Sequence, residues 1–209
     1  MNVVEIIEIL EQQYPDAKCE LNYRNAFELT VAVVLSAQTT DIAVNKVTKE
    51  LFKKYDTPSK LANASLEDVE STIKQIGLYH NKTLNIIELS KQLIDDFNGE
   101  VPNTMNELIS LKGVGKKTAN VILAECFNIP ALAVDTHVER VSKRLGLVNK
   151  KATVEEVERA LKKKIPIDLW IKSHLLLLFF GRYQCQARKP LCENCKFISI
   201  CKQNKKSTG

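Results

Sequence analysis

The hydrophobic pattern along this chain has the period of helices almost throughout. Apolar residues recur three and four positions apart from Glu5 to Gln13, from Ile42 to Tyr55 behind Thr40-Asp41, from Leu66 to Ile76 behind Ser65, and from Lys82 to Phe97. That spacing gathers them on one face of an α-helix. Ser65 is a start signal and Asn98-Gly99 a stop signal. Thr104-Met105-Asn106-Glu107 and Thr153-Val154-Glu155-Glu156 have the form of a capping box, in which each end's side chain satisfies the other's backbone N–H. Thr30-Val31-Ala32-Val33-Val34-Leu35 has the propensity of a strand, but no second run offers it a partner, so a buried helix is expected. The longest apolar run, Leu175 to Phe180, is far short of the roughly 20 residues that span a bilayer and reads as core helix. Short connections such as Val101-Pro102-Asn103 suit neighbouring packed helices. There is no internal repeat and no low-complexity segment.

Length and composition add bounds. At 209 residues, 44% hydrophobic and 26% charged, the chain is long enough for one large domain or two small ones with a sizeable core. Met1 to Ile6 contains no basic region followed by an apolar block, so a cytoplasmic location is expected, on the nucleoid in a bacterium. The formal net charge of +5 is modest, but it is unevenly placed. From Gly181 onward Arg182, Arg188, Lys189, Lys196, Lys202, Lys205 and Lys206 face only Glu193. Clustered positive charge is what a phosphate polymer requires, and it is also what an ordinary solvated tail displays.

Chemistry concentrates in three places. The first is Leu111-Lys112-Gly113-Val114-Gly115-Lys116-Lys117-Thr118-Ala119, where two glycines interrupt helical text just before it resumes in Val121 to Ala124. Glycine permits tight turns and close backbone approach, and a helix N-terminus presents unpaired N–H groups and a partial positive charge that suit phosphate. The segment therefore predicts a helix, a hairpin and a second helix, with Gly113, Val114, Gly115 and Lys116 placed to meet a nucleic-acid backbone. The longer Walker spacing is absent and no strand precedes the glycines, which disfavours a nucleotide-binding loop. A plain turn gives the same spacing.

The second place is the cysteine run Cys185-x6-Cys192-x2-Cys195-x5-Cys201. In a chain without a secretion signal such a cluster points to a metal rather than to disulfides. Structural zinc usually takes two C-x2-C pairs, of which one is present here, and four thiolates equally hold an iron–sulfur cluster. Spacing leaves both open. Cys19 and Cys126 are isolated and read as small buried hydrophobes.

The third is a lysine and a carboxylate. Lys117 opens the helix after the hairpin, and Val134-Asp135-Thr136-His137 follows beyond Asn128-Ile129-Pro130, which ends that helix. Asp135 is a natural N-cap for a helix from Val138 to Leu145, with His137 as an aid to that cap. A neutral lysine amine can also attack an electrophilic carbon and form a Schiff base, and a nearby carboxylate can take and return protons. Pattern alone leaves cap and catalyst both open. His80 and His174 read as surface or core residues, Trp170 as packing, and Tyr79 as either cleft or core.

Taken together, Leu35-Ser36-Ala37-Gln38-Thr39-Thr40-Asp41, Ile76-Gly77-Leu78-Tyr79, the hairpin, Val134 to His137, and Gly181-Arg182-Tyr183 leading into the cysteines resemble the endonuclease III family of the helix-hairpin-helix DNA glycosylase superfamily. The resemblance covers essentially the whole chain. One departure is Lys112, where the family commonly has proline.

The resemblance implies an all-α fold of two helical domains flanking a DNA-binding cleft. Residues 19–129 would form a six-helix barrel carrying the helix-hairpin-helix, and residues 1–18 with 130–209 an iron–sulfur cluster domain. It implies a monomer that binds duplex DNA containing oxidised pyrimidines or abasic sites, with no membrane partner. The activity implied is that of a DNA glycosylase with abasic-site lyase activity. Lys117 would be the nucleophile and Asp135 its assisting carboxylate; Gln38 would fill the space left by the rotated nucleotide and Leu78 would wedge the opposite strand. Arg188 and Lys189 would contact DNA, and Cys185, Cys192, Cys195 and Cys201 would ligate a [4Fe-4S] cluster. A sister adenine glycosylase needs an acid near the position of Val34 and generally lacks a lysine at that of Lys117. An electron-transfer protein needs no hairpin. A non-catalytic helix-hairpin-helix DNA-binding module is the remaining alternative.

Overall fold

The computed structural model describes residues 1–203; Lys205 and Lys206 of the basic tail lie outside the described residues. Those residues form helices and no strand. They divide into two compact units, Glu20–Ile129 and a discontinuous one made of Met1–Cys19 with Pro130–Gly209.

In the continuous unit, α2 (Ala26–Leu35) is the central element: every residue from Phe27 to Leu35 is buried. This is why a segment rich in β-branched residues is a helix. A helix that is apolar on all sides is stable when neighbours surround it, and α2 packs on α3 (Asp41–Lys54), α6 (Tyr79–Phe97) and α8 (Lys116–Phe127). Its one buried acid, Glu28, is paired with the Nε of Arg24 at 2.8 Å and accepts from the Arg24 backbone N–H at 2.8 Å. The short α4 (Pro58–Ala62), started by Thr57 and a proline in its first turn, packs on α6, as does α5 (Leu66–Ile73). α7 (Met105–Ser110) packs on α8. The ends of α6 and α8 are fixed by Asn98 and Asn128, at φ 53° and 51°. Asparagine tolerates the left-handed conformation better than most residues and closes a helix there.

The discontinuous unit contains α1 (Val3–Gln13), α9 (Thr136–Arg144), α10 (Val154–Lys164) and α11 (Trp170–Phe179). Its core includes Ile6, Leu10, Val138, Val141, Leu161, Leu177, Phe180 and Phe197. Phe197 lies between Cys195 and Cys201 yet is fully buried, edge-on to Phe180 with ring centroids 5.2 Å apart. That aromatic pair anchors the cysteine segment in the core. Trp170 is a packing residue, as expected, with its Nε1–H on the Ile165 carbonyl at 3.0 Å.

Three expectations need correction. α5 stops at Ile73 rather than Ile76, and α6 starts at Tyr79 rather than Lys82. Turn residues occupy 74–78, with Leu78 left-handed at the start of α6, which periodicity does not register. The box at Thr153 is complete, but at Thr104 only half forms, because the Glu107 carboxylate accepts from the Thr104 hydroxyl at 2.6 Å. Asn2 with Glu5 makes a full box that the pattern did not suggest.

Candidate active site and cysteine-lined cavity

The hairpin has the predicted form. Leu111 and Val114 are buried and close a turn through the Val114 N–H on the Leu111 carbonyl at 3.1 Å. Gly113 between them sits at φ +80°, and a Cβ there would lie 3.1 Å from Val34 Cγ1 and 3.1 Å from Asn85 Cβ. The left-handed conformation favours glycine, and a Cβ would also require Val34 and Asn85 to give by a few tenths of an ångström. Gln92 of α6 pins the incoming side, accepting from the Lys112 N–H at 2.7 Å and donating to the Ser110 carbonyl at 3.3 Å. Gly115 differs: it caps α8 with φ −95°, and a Cβ there would meet nothing within 4 Å. No side chain caps α8, so its first N–H groups have no capping oxygen from Gly115. Lys116 and Lys117 follow at once, both exposed.

Two loops of the same unit carry the other predicted residues. Gln38, at φ 54°, follows α2, and Leu78, at φ 59°, precedes α6. Both are exposed, Leu78 at 57%. A left-handed conformation is costly for such side chains, of order 1–3 kcal/mol, and strain of this kind gathers at working sites. Tyr79 is half-buried and stacks on His80 at 4.0 Å, and His80 pairs with Glu70 on the surface.

In the other unit, Asp135 is the N-cap of α9. Its Oδ1 accepts from the N–H groups of His137 and Val138 at 3.0 and 2.8 Å. The capping reading is thus observed, and since both bonds fall on Oδ1 it does not occupy the whole carboxylate. His137 supplies one of the capped N–H groups and does not itself cap. His174 is a core residue, its Nδ1 2.8 Å from the Ala133 carbonyl.

The same α9 grips the cysteine segment. Arg140 donates to the carbonyls of Gly181 at 2.8 Å and Cys185 at 3.1 Å. Arg144 donates to the carbonyl of Gln186 at 2.7 Å, to that of Ala187 at 3.0 Å and to Cys185 Sγ at 3.4 Å. Burial, and then the neighbouring Arg144 guanidinium, push Arg140 below the ordinary arginine range. After α11 the chain makes one π-helical turn, Phe180–Gln184, which delivers Cys185. Gly181 in that turn lies so close to α9 that a Cβ would be 2.8 Å from His137 Cβ. Gln184, buried, donates to the Leu191 and Asn194 carbonyls at 3.4 Å each and accepts from Gln13.

Cys185, Cys192, Cys195 and Cys201 all line one cavity of about 190 Å³, together with Arg144, Phe180 and Leu191. None forms a disulfide. Burial pushes the Cys195 thiol up, and the other three cysteines act in the same direction. Among the described residues no group of three or more His, Cys, Asp or Glu is arranged to hold a single metal ion. Arg188, Lys189 and Lys196 of the segment are exposed.

Sequence reasoning missed Arg140, Arg144 and Gln184. The signal available was the i, i+4 arginine pair on the helix that Asp135 opens, one face of which must meet something.

These elements define a helix-hairpin-helix protein of DNA base-excision repair: residues 31–167 match the HhH-GPD superfamily of base excision DNA repair proteins. The chain is 52% identical to Endonuclease III of Bacillus subtilis over 193 residues, 92% of this chain and 88% of the relative. It is 48% identical to Endonuclease III of Rickettsia conorii over 199 residues, 95% of this chain and 94% of the relative. A solved structure of a trapped Endonuclease III–DNA covalent intermediate, an estranged-adenine complex, superposes with a TM-score of 0.95 at 50% identity, covering 99% of this chain and 97% of that one. The chain belongs to the endonuclease III family, whose members are bifunctional DNA glycosylases and abasic-site lyases of base excision repair. No helix among the described residues is long and apolar enough to cross a membrane.

The two glycines should separate on substitution. Gly113→Ala is expected to lower unfolding free energy by about 1–3 kcal/mol, whereas Gly115→Ala should stay within about 1 kcal/mol of the parent. Denaturant unfolding of the two variants checks the difference.

Proposed function

We propose that this enzyme acts on duplex DNA carrying oxidised pyrimidines or abasic sites, with Lys117 as its nucleophile. The observation that carries the reading is the exposed amine of Lys117 at the uncapped start of α8, directly after a hairpin built to let a backbone approach. A phosphate received by the first N–H groups of α8 brings the adjoining sugar to that amine. The relative trapped as a covalent intermediate on DNA supports it, because a covalent step needs such a nucleophile.

The chemistry follows from the residue types. The damaged nucleotide leaves the stack, since its sugar carbon is unreachable within a duplex. Gln38 enters the vacated space and Leu78 wedges the opposite strand, each replacing part of the lost stacking. The neutral Lys117 amine attacks C1′; the glycosidic bond breaks, and its electron pair leaves with the base, which takes up a proton. Asp135 accepts the proton released by the amine and stabilises the cationic character of the sugar as the bond breaks. The sugar ring opens to an imine with Lys117. Loss of a C2′ proton then expels the 3′ phosphate by β-elimination, cutting the strand on the 3′ side. Water releases the enzyme.

The cysteine-lined cavity offers four thiols around one volume, a donor set that an iron–sulfur cluster requires. We assign Cys185, Cys192, Cys195 and Cys201 as ligands of a [4Fe-4S] cluster. When bound, the cluster supplies a four-point cross-link and no redox step. The segment it holds presents Arg188, Lys189 and Lys196 to DNA phosphates.

Borohydride reduction during reaction with a duplex containing thymine glycol should trap a covalent enzyme–DNA adduct that is lost in Lys117→Gln. An adduct retained in that variant removes Lys117 as nucleophile. Purified enzyme should contain about four iron and four sulfide per chain. Stoichiometric zinc without iron would overturn the cluster assignment.

A further inference from the structure

Gln38 and Leu78 lie on separate loops, and one residue bonds to both. Lys82, in the first turn of α6, donates its backbone N–H to the Leu78 carbonyl at 3.0 Å and its Nζ to Thr39 Oγ1 at 2.6 Å. Thr39 is the neighbour of Gln38. Its own N–H closes the turn on the Ser36 carbonyl at 3.0 Å, and its hydroxyl reaches the Ala37 carbonyl at 3.3 Å.

The environment of Lys82 is unusual for its type. Lysine normally buries its stem and keeps its amine in water, yet Lys82 is only 4% exposed. Burial drives its amine below the ordinary lysine range. An apolar side chain of the same length would fill this space without the desolvation cost, so fold stability does not explain a lysine here. What the amine adds is a bond between α6 and the Gln38 turn.

We propose that Lys82 is a positioning residue that clamps the Gln38 turn to the start of α6, so that the Gln38 and Leu78 side chains enter DNA as one preorganised unit. The inference rests on the reading above that both side chains enter the duplex. Without the clamp, Gln38 relaxes from its left-handed conformation toward a commoner one and its side chain turns away. The turn must then be reordered at each encounter, a cost that preorganisation removes.

The bond can be removed from either end, by Lys82→Met or by Thr39→Val. Thr39 is a half-exposed loop residue, so its variant keeps the test open if the buried substitution disturbs folding, which thermal unfolding reports. The readout is the single-turnover rate for thymine glycol paired with adenine, divided by the rate for thymine glycol in an unpaired bubble, where no stack has to be replaced. Each variant should lower this ratio about tenfold, and the double variant no further, since the Lys82–Thr39 bond is lost in all three. Gln38→Ala and Leu78→Ala are measured alongside. If these two lower the ratio while Lys82→Met and Thr39→Val leave it at the parent value, the clamp is refuted and the entry of both side chains stands. Losses that multiply in the double variant refute it equally. If Gln38→Ala and Leu78→Ala leave the ratio unmoved, the entry reading falls, and the clamp with it.

Discussion

Gly113 holds a backbone angle that side chains avoid, and Val34 and Asn85 press against the place where its Cβ would be. Gly113 lies in the turn that Val114 closes on the Leu111 carbonyl, directly ahead of α8. The position of α8 in turn fixes an uncapped row of N–H groups and the root of Lys117. Val34 belongs to α2, which is buried on every side, so the hairpin rests on the most constrained helix of its unit. The proposed role of Lys117 as nucleophile calls for such a fixed root, because misplacement by an ångström costs rate steeply.

In the other unit a single helix serves two ends. Asp135 caps α9 with one carboxylate oxygen, and one and two turns later Arg140 and Arg144 hold the carbonyls around Cys185. A cap stiffens the first turn of a helix by about 1 kcal/mol, so the same bonds that start α9 orient the acid. The guanidinium groups fix the first cysteine, Phe197 anchors the middle of the segment, and Gln184 ties its flanks. The thiol cavity is therefore shaped by protein contacts on several sides, before any bound group is considered.

Much of this was legible in the residues. The helical period, the glycines of the hairpin and the cap at Asp135 each have a local cause, and apart from the helix ends around Leu78 each appears where the pattern put it. Thr30 to Leu35 was decided by what was missing, a partner strand, rather than by propensity. What escaped was non-local or conformational. No pattern of side chains reveals that Gln38 and Leu78 adopt left-handed angles, or that a turn over 74–78 separates α5 from α6. Lys82 was only the first residue of a helical range in the pattern, because its partner Thr39 is far away in sequence. Arg140 and Arg144 were missed because the carbonyls they hold lie far along the chain, around Cys185.

The central claim is that one amine, that of Lys117, becomes bonded to the deoxyribose. Mass spectrometry of proteolytic peptides from the borohydride-reduced adduct, after nuclease digestion of the DNA, reads this directly. The sugar remnant should sit on the peptide containing Lys117, with fragmentation placing it on that side chain. A remnant on Lys116, on Lys82 or on the N-terminal amine would contradict the claim.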